Sequence, residues 1–322
     1  MSRLDEEGPD ALVQIPVPVN RFPEFVRYLV RRLKVLCPAM GKERIAQVLC
    51  RAGLHLGTTT VRRMLRDSPK RPSRQASRIT ARIVTARYPN HVWHVDLTTV
   101  PTSLGFWTAW LPFALPQRWP FCWWVAVAVD HFSRHIMGTI VFAGRPSAHA
   151  VTAFLDRTIR NKAPQLKHLI TDHGVQFDCR GFRRWCRRRG IRQRFGAIGK
   201  YGSLAVIERL MRTIKVECTR RLPIVSLSRT VFQRELSLYA VWYNGHRPHS
   251  GLDTRTPDEV YFGKRPACRF QRFEPRPRWP RRSPCAGPNT LIRGRPGGQL
   301  ELDVRFQRGR KHLPVVEIRR AA

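Results

Sequence analysis

Nine consecutive apolar residues, Phe121 to Val129, make the longest such run in the chain. That is well short of the ~20 residues a membrane-spanning helix needs, and a short apolar run closed by a turn reads as a buried strand. Two further strand patterns flank it, His91 to Val100 and His135 to Phe142, with Asp130-His131-Phe132-Ser133-Arg134 as the turn into the last. Three consecutive strands imply an antiparallel meander. The period then changes. Ser147 to Arg160 reads as a helix, Leu166 to Thr171 as a fourth strand, Gly181 to Arg189 as a helix and Ile191 to Phe195 as a fifth strand, with helices over Leu204 to Arg220 and Phe232 to Trp242. The fold class expected is α/β, a mixed five-stranded sheet flanked by helices over 91–262. A Trp- and Pro-rich stretch, Thr102 to Pro120, interrupts the first hairpin as an ordered insertion.

The flanks carry different patterns. Residues 1–22 read as a tail, and 23–67 as a helical domain in which Phe25, Tyr28, Leu29 and Leu33 recur at spacings of three and four. A second helix puts Ile45, Val48 and Leu49 on one face; a turn from Gly53 to Gly57 follows, and Thr58 to Thr60 stand where a third helix would be capped. This is a helix-turn-helix outline whose last helix would present Arg62, Arg63 and Arg66 to a DNA groove or its flanking phosphates. Residues 68–90 hold Lys70, Arg71, Arg74, Arg78, Arg82 and Arg87 with no acid, a basic linker. The 263–322 segment is Pro- and Arg-rich until Leu300, Leu302, Val304 and Phe306 alternate with polar residues, which predicts a C-terminal β-hairpin. A lone hairpin is only marginally stable, so it has to pack on something.

Charge narrows the partner. Fifty-nine Lys and Arg against 22 Asp and Glu give +37. Such a surface repels itself unless a polyanion neutralises it, and nucleic acid supplies the densest phosphate charge. A structural RNA-binding protein would show the same balance, so charge selects a partner class and no reaction. The eight cysteines contain no Cys-x-x-Cys and no His pair at zinc-finger spacing, and the opening Met1-Ser2-Arg3-Leu4-Asp5-Glu6-Glu7 is acidic. Reduced thiols, no structural zinc and a cytoplasmic location are expected.

Against that background three acids stand out: Asp96 in His94-Val95-Asp96-Leu97-Thr98, Asp172 in Thr171-Asp172-His173-Gly174, and Glu208 in Ile207-Glu208-Arg209-Leu210. Asp96 lies inside an apolar strand pattern, where an uncompensated charge is costly. Asp172 ends a strand, and Glu208 follows after 35 intervening residues on a helix. At 100° per residue Glu208, Arg212, Lys215 and Thr219 form a stripe beside the apolar face of Leu204, Ile207, Met211, Ile214 and Cys218. Lys215 and Arg212 can hold a DNA phosphate there. Three converging carboxylates suit Mg²⁺ or Mn²⁺, hard cations that prefer oxygen ligands, and phosphoryl transfer on nucleic acid commonly uses two ions.

These motifs, together with Val129 to Arg134, Thr213-Ile214-Lys215-Val216-Glu217 and Tyr243-Asn244-Gly245-His246-Arg247-Pro248-His249-Ser250-Gly251-Leu252 with Thr256-Pro257, resemble the DDE integrase-type transposases of bacterial insertion sequences over roughly residues 25–262. The resemblance implies an RNase H-like core and a metal site at Asp96, Asp172 and Glu208. It also implies cutting and joining of double-stranded DNA, with the element's inverted repeats and target DNA as substrates and a homo-oligomer assembled on the ends. A hydrolytic nuclease of the same fold and an inactive DNA-binding protein are the alternatives. The sequence lacks the His/Cys module of retroviral integrases and has Leu210-Met211 where a bulky aromatic often follows the glutamate. The Tyr243 to Pro257 segment is expected to act as a clamp on the core, with Arg247 and His249 open to a DNA role.

Overall fold

The computed structural model describes residues 22, 24–66, 84–104, 116–162, 165–196, 204–267 and 300–320. The tail before residue 22, most of the linker, the centre of the Trp-rich insertion and the Pro- and Arg-rich stretch before Leu300 lie outside the described residues. The chain divides into two compact units.

One unit contains α1 (Glu24–Leu36), α2 (Lys42–Arg51) and α3 (Thr58–Leu65). Its core is built from Val26, Leu29, Val30 and Leu33 of α1 with Ile45, Leu49 and Val61. The inward stripe on α1 differs from the expected one: Phe25 and Tyr28 are 48% and 64% exposed. Both stripes share Leu29 and Leu33, but Val26 and Val30 complete the i, i+3, i+4, i+7 set and turn the helix toward the aliphatic side. Thr58 to Thr60 form the first turn of α3 and do not cap it; Gly57 is the N-cap, without a side-chain bond. Lys34 Nζ donates to the Pro38 carbonyl at 2.7 Å and the Met40 carbonyl at 2.8 Å, closing the turn between α1 and α2. Arg63 and Arg66 are exposed and Arg62 is half-buried, with Arg66 just past the helix.

The other unit holds the sheet, β1 (Val92–Pro101), β2 (Cys122–Asp130), β3 (Ile136–Phe142), β4 (His168–Thr171) and β5 (Arg192–Phe195), in the order β3-β2-β1-β4-β5. β1, β2 and β3 pair antiparallel, as a meander; β4 joins β1, and β5 joins β4, in parallel. The parallel half needs crossovers. These are α4 (Ala148–Lys162) and α5 (Arg180–Arg188), and α6 (Ala205–Glu217), α7 (Arg229–Gly245) and α8 (Pro257–Tyr261) follow β5. This is the mixed, helix-flanked sheet of an RNase H-like core.

The opening apolar run is the strand with both faces covered, β2, buried at every position but one. One sheet face packs Trp93, Val95, Ala126 and Ala128 against Phe154, Leu155, Phe182 and Cys186 of α4 and α5. The other packs Val100, Val125, Val127 and Val129 against Ile207, Leu210, Met211 and Ile214 of α6 and Phe232, Leu236, Tyr239 and Trp242 of α7. Directly opposed residues share a face. Asp96 pairs with Val127, so it points to the side that α6 and α7 cover.

The Tyr243 to Pro257 segment closes this second face. Asn244, buried, accepts from the Ile136 backbone N–H at 2.9 Å and donates to its carbonyl at 3.0 Å, pinning α7 to the start of β3. Arg247, 8% exposed, grips Glu217 at the end of α6 with Nε at 2.8 Å and Nη2 at 3.0 Å. Arg247 is therefore a strut in the clamp. The hairpin of β6 (Leu300–Phe306) and β7 (Pro314–Arg320) is present. Its turn end docks on α7: Leu313 is fully buried in the same core, and Trp242 Nε1 donates to the Pro314 carbonyl at 2.9 Å.

Candidate active site

Asp96 sits mid-strand on β1. The parallel register Val92↔His168, Trp93↔Leu169, His94↔Ile170, carried two residues further, sets it level with Asp172, the residue after β4. Adjacent strands lie about 4.8 Å apart. Glu208 occupies the first turn of α6, whose Ile207, Leu210, Met211 and Ile214 press into the face that Asp96 points toward. Glu208 and Arg212 are exposed and Lys215 is half-buried on the same stripe. Arg62, Arg63 and Arg66 belong to the helical unit.

The electrostatics tie the acids together. Burial pushes the Asp96 carboxyl up to about 6; the Leu97 N–H, 2.7 Å from Oδ1, opposes this, the charges of Asp172 and Glu208 add to the rise, and the Lys215 ammonium offsets part of it. Asp96 thus lies within the field of both acids and of the lysine. As the side chains stand, no three His, Cys, Asp or Glu among the described residues close into a metal cage. The donor set nevertheless fits a hard divalent cation, because it offers carboxylate oxygens around a half-buried charge that has no ion-pair partner among the described residues.

A pH dependence follows from that carboxyl. Its native pKa lies above the ordinary 3.8, so the folded state holds the proton more tightly. Ionised Asp96 therefore lowers stability as pH rises from about 4 to about 6 and leaves it unaffected below that range. In a chelating buffer Asp96→Asn is expected to be more stable than wild type at pH 7.5, by on the order of 2 kcal/mol and with a correspondingly higher Tm, and to match wild type at pH 4. Equal melting curves at pH 7.5 would show that the charge is compensated.

The loop after Asp172 is built around close approach. Gly174 donates its N–H to Asp172 Oδ1 at 3.1 Å, and a Cβ there would lie 2.4 Å from Gln176 Nε2 and 3.1 Å from Asp172 Oδ1. Gln176 is buried, so it cannot simply swing into solvent. Gly174→Ala is expected to displace Asp172 and weaken divalent-cation binding by about 10- to 100-fold, the scale of losing a supporting contact to a metal ligand. An unaltered affinity in the folded variant would show that Asp172 is not positioned by this turn.

Neighbouring groups have other duties. Asp130, fully buried, accepts from the Asn90 N–H at 2.8 Å and from Ser133 N and Oγ at 2.8 and 2.7 Å, which organises the Asp130 to Arg134 turn. The Asp-x-x-Ser spacing was its sequence signal. His94 Nε2 and His131 Nδ1 share a hydrogen bond of 2.8 Å. Burial and nearby cationic groups lower both rings, His94 to about 3 and His131 to about 4, so the pair is neutral at pH 7. His173 stacks on Phe195, with ring centroids 4.4 Å apart.

The profile described as Integrase core domain matches residues 86–200, and a second of the same description matches 189–257, together more than half of the chain. The chain belongs to the integrase core domain family. It is 25% identical over 235 residues to the transposase for insertion sequence element IS904 of Lactococcus lactis subsp. lactis (strain IL1403), covering 68% of this chain and 86% of that protein. Solved structures similar to it include the BIV integrase catalytic core, 22% identical with a TM-score of 0.40 over 54% of this chain and 95% of that one. The simian T-cell lymphotropic virus intasome in complex with a PP2A regulatory subunit is 16% identical, with a TM-score of 0.44 over 85% and 81% of the two chains. The HTLV-2 integrase catalytic core in complex with magnesium is 18% identical, with a TM-score of 0.38 over 54% and 97%. Among the described residues no helix is long and apolar enough to cross a membrane.

Proposed function

We propose that this integrase-core protein is a transposase that cuts double-stranded DNA at the ends of an element and joins the freed ends to target DNA. The observation that carries this is Asp96 on β1, half-buried on the sheet face that α6 covers and lying in the combined field of Asp172, Glu208 and Lys215. Asp96, Asp172 and Glu208 would hold Mg²⁺ or Mn²⁺, as two ions. Bound there, the cations would polarise the phosphoryl oxygens and lower the barrier to in-line displacement.

The remaining work falls to the chain's own residues. Lys215 and Arg212 on α6 would neutralise phosphates beside the acids, and the register of β1 on β4 would hold two of the carboxylates in fixed relation. Arg62, Arg63 and Arg66 would contact the terminal inverted repeats. In the first step water adds to phosphorus and the P–O3′ bond breaks, leaving a 3′-hydroxyl and a 5′-phosphate. In the second, that hydroxyl attacks a target phosphodiester, forms a new P–O3′ bond, and its proton passes to the displaced 3′-oxygen. No nucleophilic side chain enters either step. A homo-oligomer on DNA would bring two ends to one target.

The test is a labelled duplex carrying the element end, incubated with unlabelled target and Mg²⁺. Longer, joined label-bearing products are expected. Shortened products alone would assign a hydrolytic nuclease, and unchanged DNA with normal binding would assign an inactive DNA-binding protein.

A further inference from the structure

Beside the acids, one pair of rings lies outside both packed faces of the sheet. His173 follows Asp172 directly, and Phe195 is the last residue of β5, paired with Thr171, the last of β4. Both rings therefore stand on the rim where the parallel strands end, the rim on which Asp172 also lies. They are close to parallel, 12° apart in plane with centroids at 4.4 Å. Phe195 covers one face of the imidazole, and Asp178 Oδ2 lies 3.7 Å from Nδ1 at one edge. The His173 side chain is nevertheless 46% exposed, and the surface left to account for this is the opposite ring face and the Nε2 edge.

The backbone on both sides of the stack is fixed. Gly174 donates its N–H to Asp172 Oδ1 at 3.1 Å, spanning His173, and the Phe177 and Asp178 N–H groups return to the Gly174 carbonyl at 2.8 and 2.9 Å. Just past Phe195, the Gly196 N–H donates to the Thr171 carbonyl at 2.9 Å. The platform is thus preformed. Among the described residues the other stacked ring pair, His94 with His131, is buried. Single exposed aromatics are ordinary on a protein surface. A parallel pair with one face open, next to a carboxylate, has the geometry to accept a third flat ring, and every nucleobase offers a π face. A base inside a duplex is stacked on both faces and cannot reach His173. Unstacking costs least for a base already unpaired, as at a DNA end.

We propose that His173, backed by Phe195, stacks on the unpaired terminal base of a DNA end held at the acids and so fixes that end for joining. This rests on the transposase reading. The probe is a duplex with a one-nucleotide 3′ overhang, compared with the same duplex carrying an abasic residue in the overhang, both lacking the 3′-hydroxyl so that no joining occurs. Affinity is measured for the full-length protein in Mg²⁺. The base is expected to strengthen binding about 5-fold or more, the lower end of what one base stacked on an aromatic ring contributes. His173→Ala is expected to erase that difference while melting as wild type, and His173→Phe to keep most of it. The Phe variant lacks the nitrogen beside Asp178, so its rescue separates stacking from that contact. Equal affinity of wild type for the two duplexes, a difference that survives in His173→Ala, or equal losses in the Ala and Phe variants overturns the platform. If wild type still joins ends in that case, the transposase reading stands without it. If wild type binds neither duplex, that reading falls and the platform with it.

Discussion

Asp96→Asn, Asp172→Asn and Glu208→Gln each reduce joining of a labelled element end by more than ~10²-fold, beyond the ~10- to 100-fold cost of losing an outer supporting partner. DNA affinity stays equal or rises slightly, because each change removes one negative charge from a phosphate-facing surface. The three effects are not additive: a double variant is expected to be as inactive as either single one, since the carboxylates act as one unit. Parallel filter-binding and strand-joining assays separate the two quantities. If Glu208→Gln kept wild-type joining while Asp96→Asn lost it, α6 would have to be removed from the site.

Arg247→Ala is expected to be the most destabilising single change in the core. The guanidinium holds both oxygens of Glu217, at 2.8 and 3.0 Å, and Glu217 raises the arginine well above its ordinary value despite the opposing effect of burial. Tyr239, fully buried, also donates its hydroxyl to Glu217 Oε2 at 3.4 Å. Removing one partner of a buried pair costs roughly 3–5 kcal/mol, because the other charge is left uncompensated. For a unit of this size that lowers Tm by about 10 °C in thermal denaturation. Arg247→Met combined with Glu217→Leu is expected to melt higher than Arg247→Ala, since no unpaired charge remains. Equal melting of wild type and Arg247→Ala would mean the pair contributes nothing to the α6–α7 joint.

The parts of this protein legible in its sequence are those where local pattern and tertiary demand agree. β2 announced itself because both of its faces are covered, and α6 because its apolar stripe is uninterrupted. On α1 two overlapping stripes competed, and the sequence alone did not show that Val26 and Val30 would displace Phe25 and Tyr28 from the interior. The acids could be named, yet their common orientation depends on the β1–β2 and β1–β4 registers, which are long-range facts. Likewise the Glu217–Arg247 joint spans 30 residues and leaves no periodic signal.

Asp96, Asp172 and Glu208 are proposed to hold divalent metal together. A crystal structure of the protein soaked in Mn²⁺, with anomalous scattering recorded at the manganese edge, measures this directly. Anomalous density is expected with carboxylate oxygens of all three residues about 2.1 Å away. Density at other residues, or three carboxylates that remain apart in the presence of the ion, would contradict it.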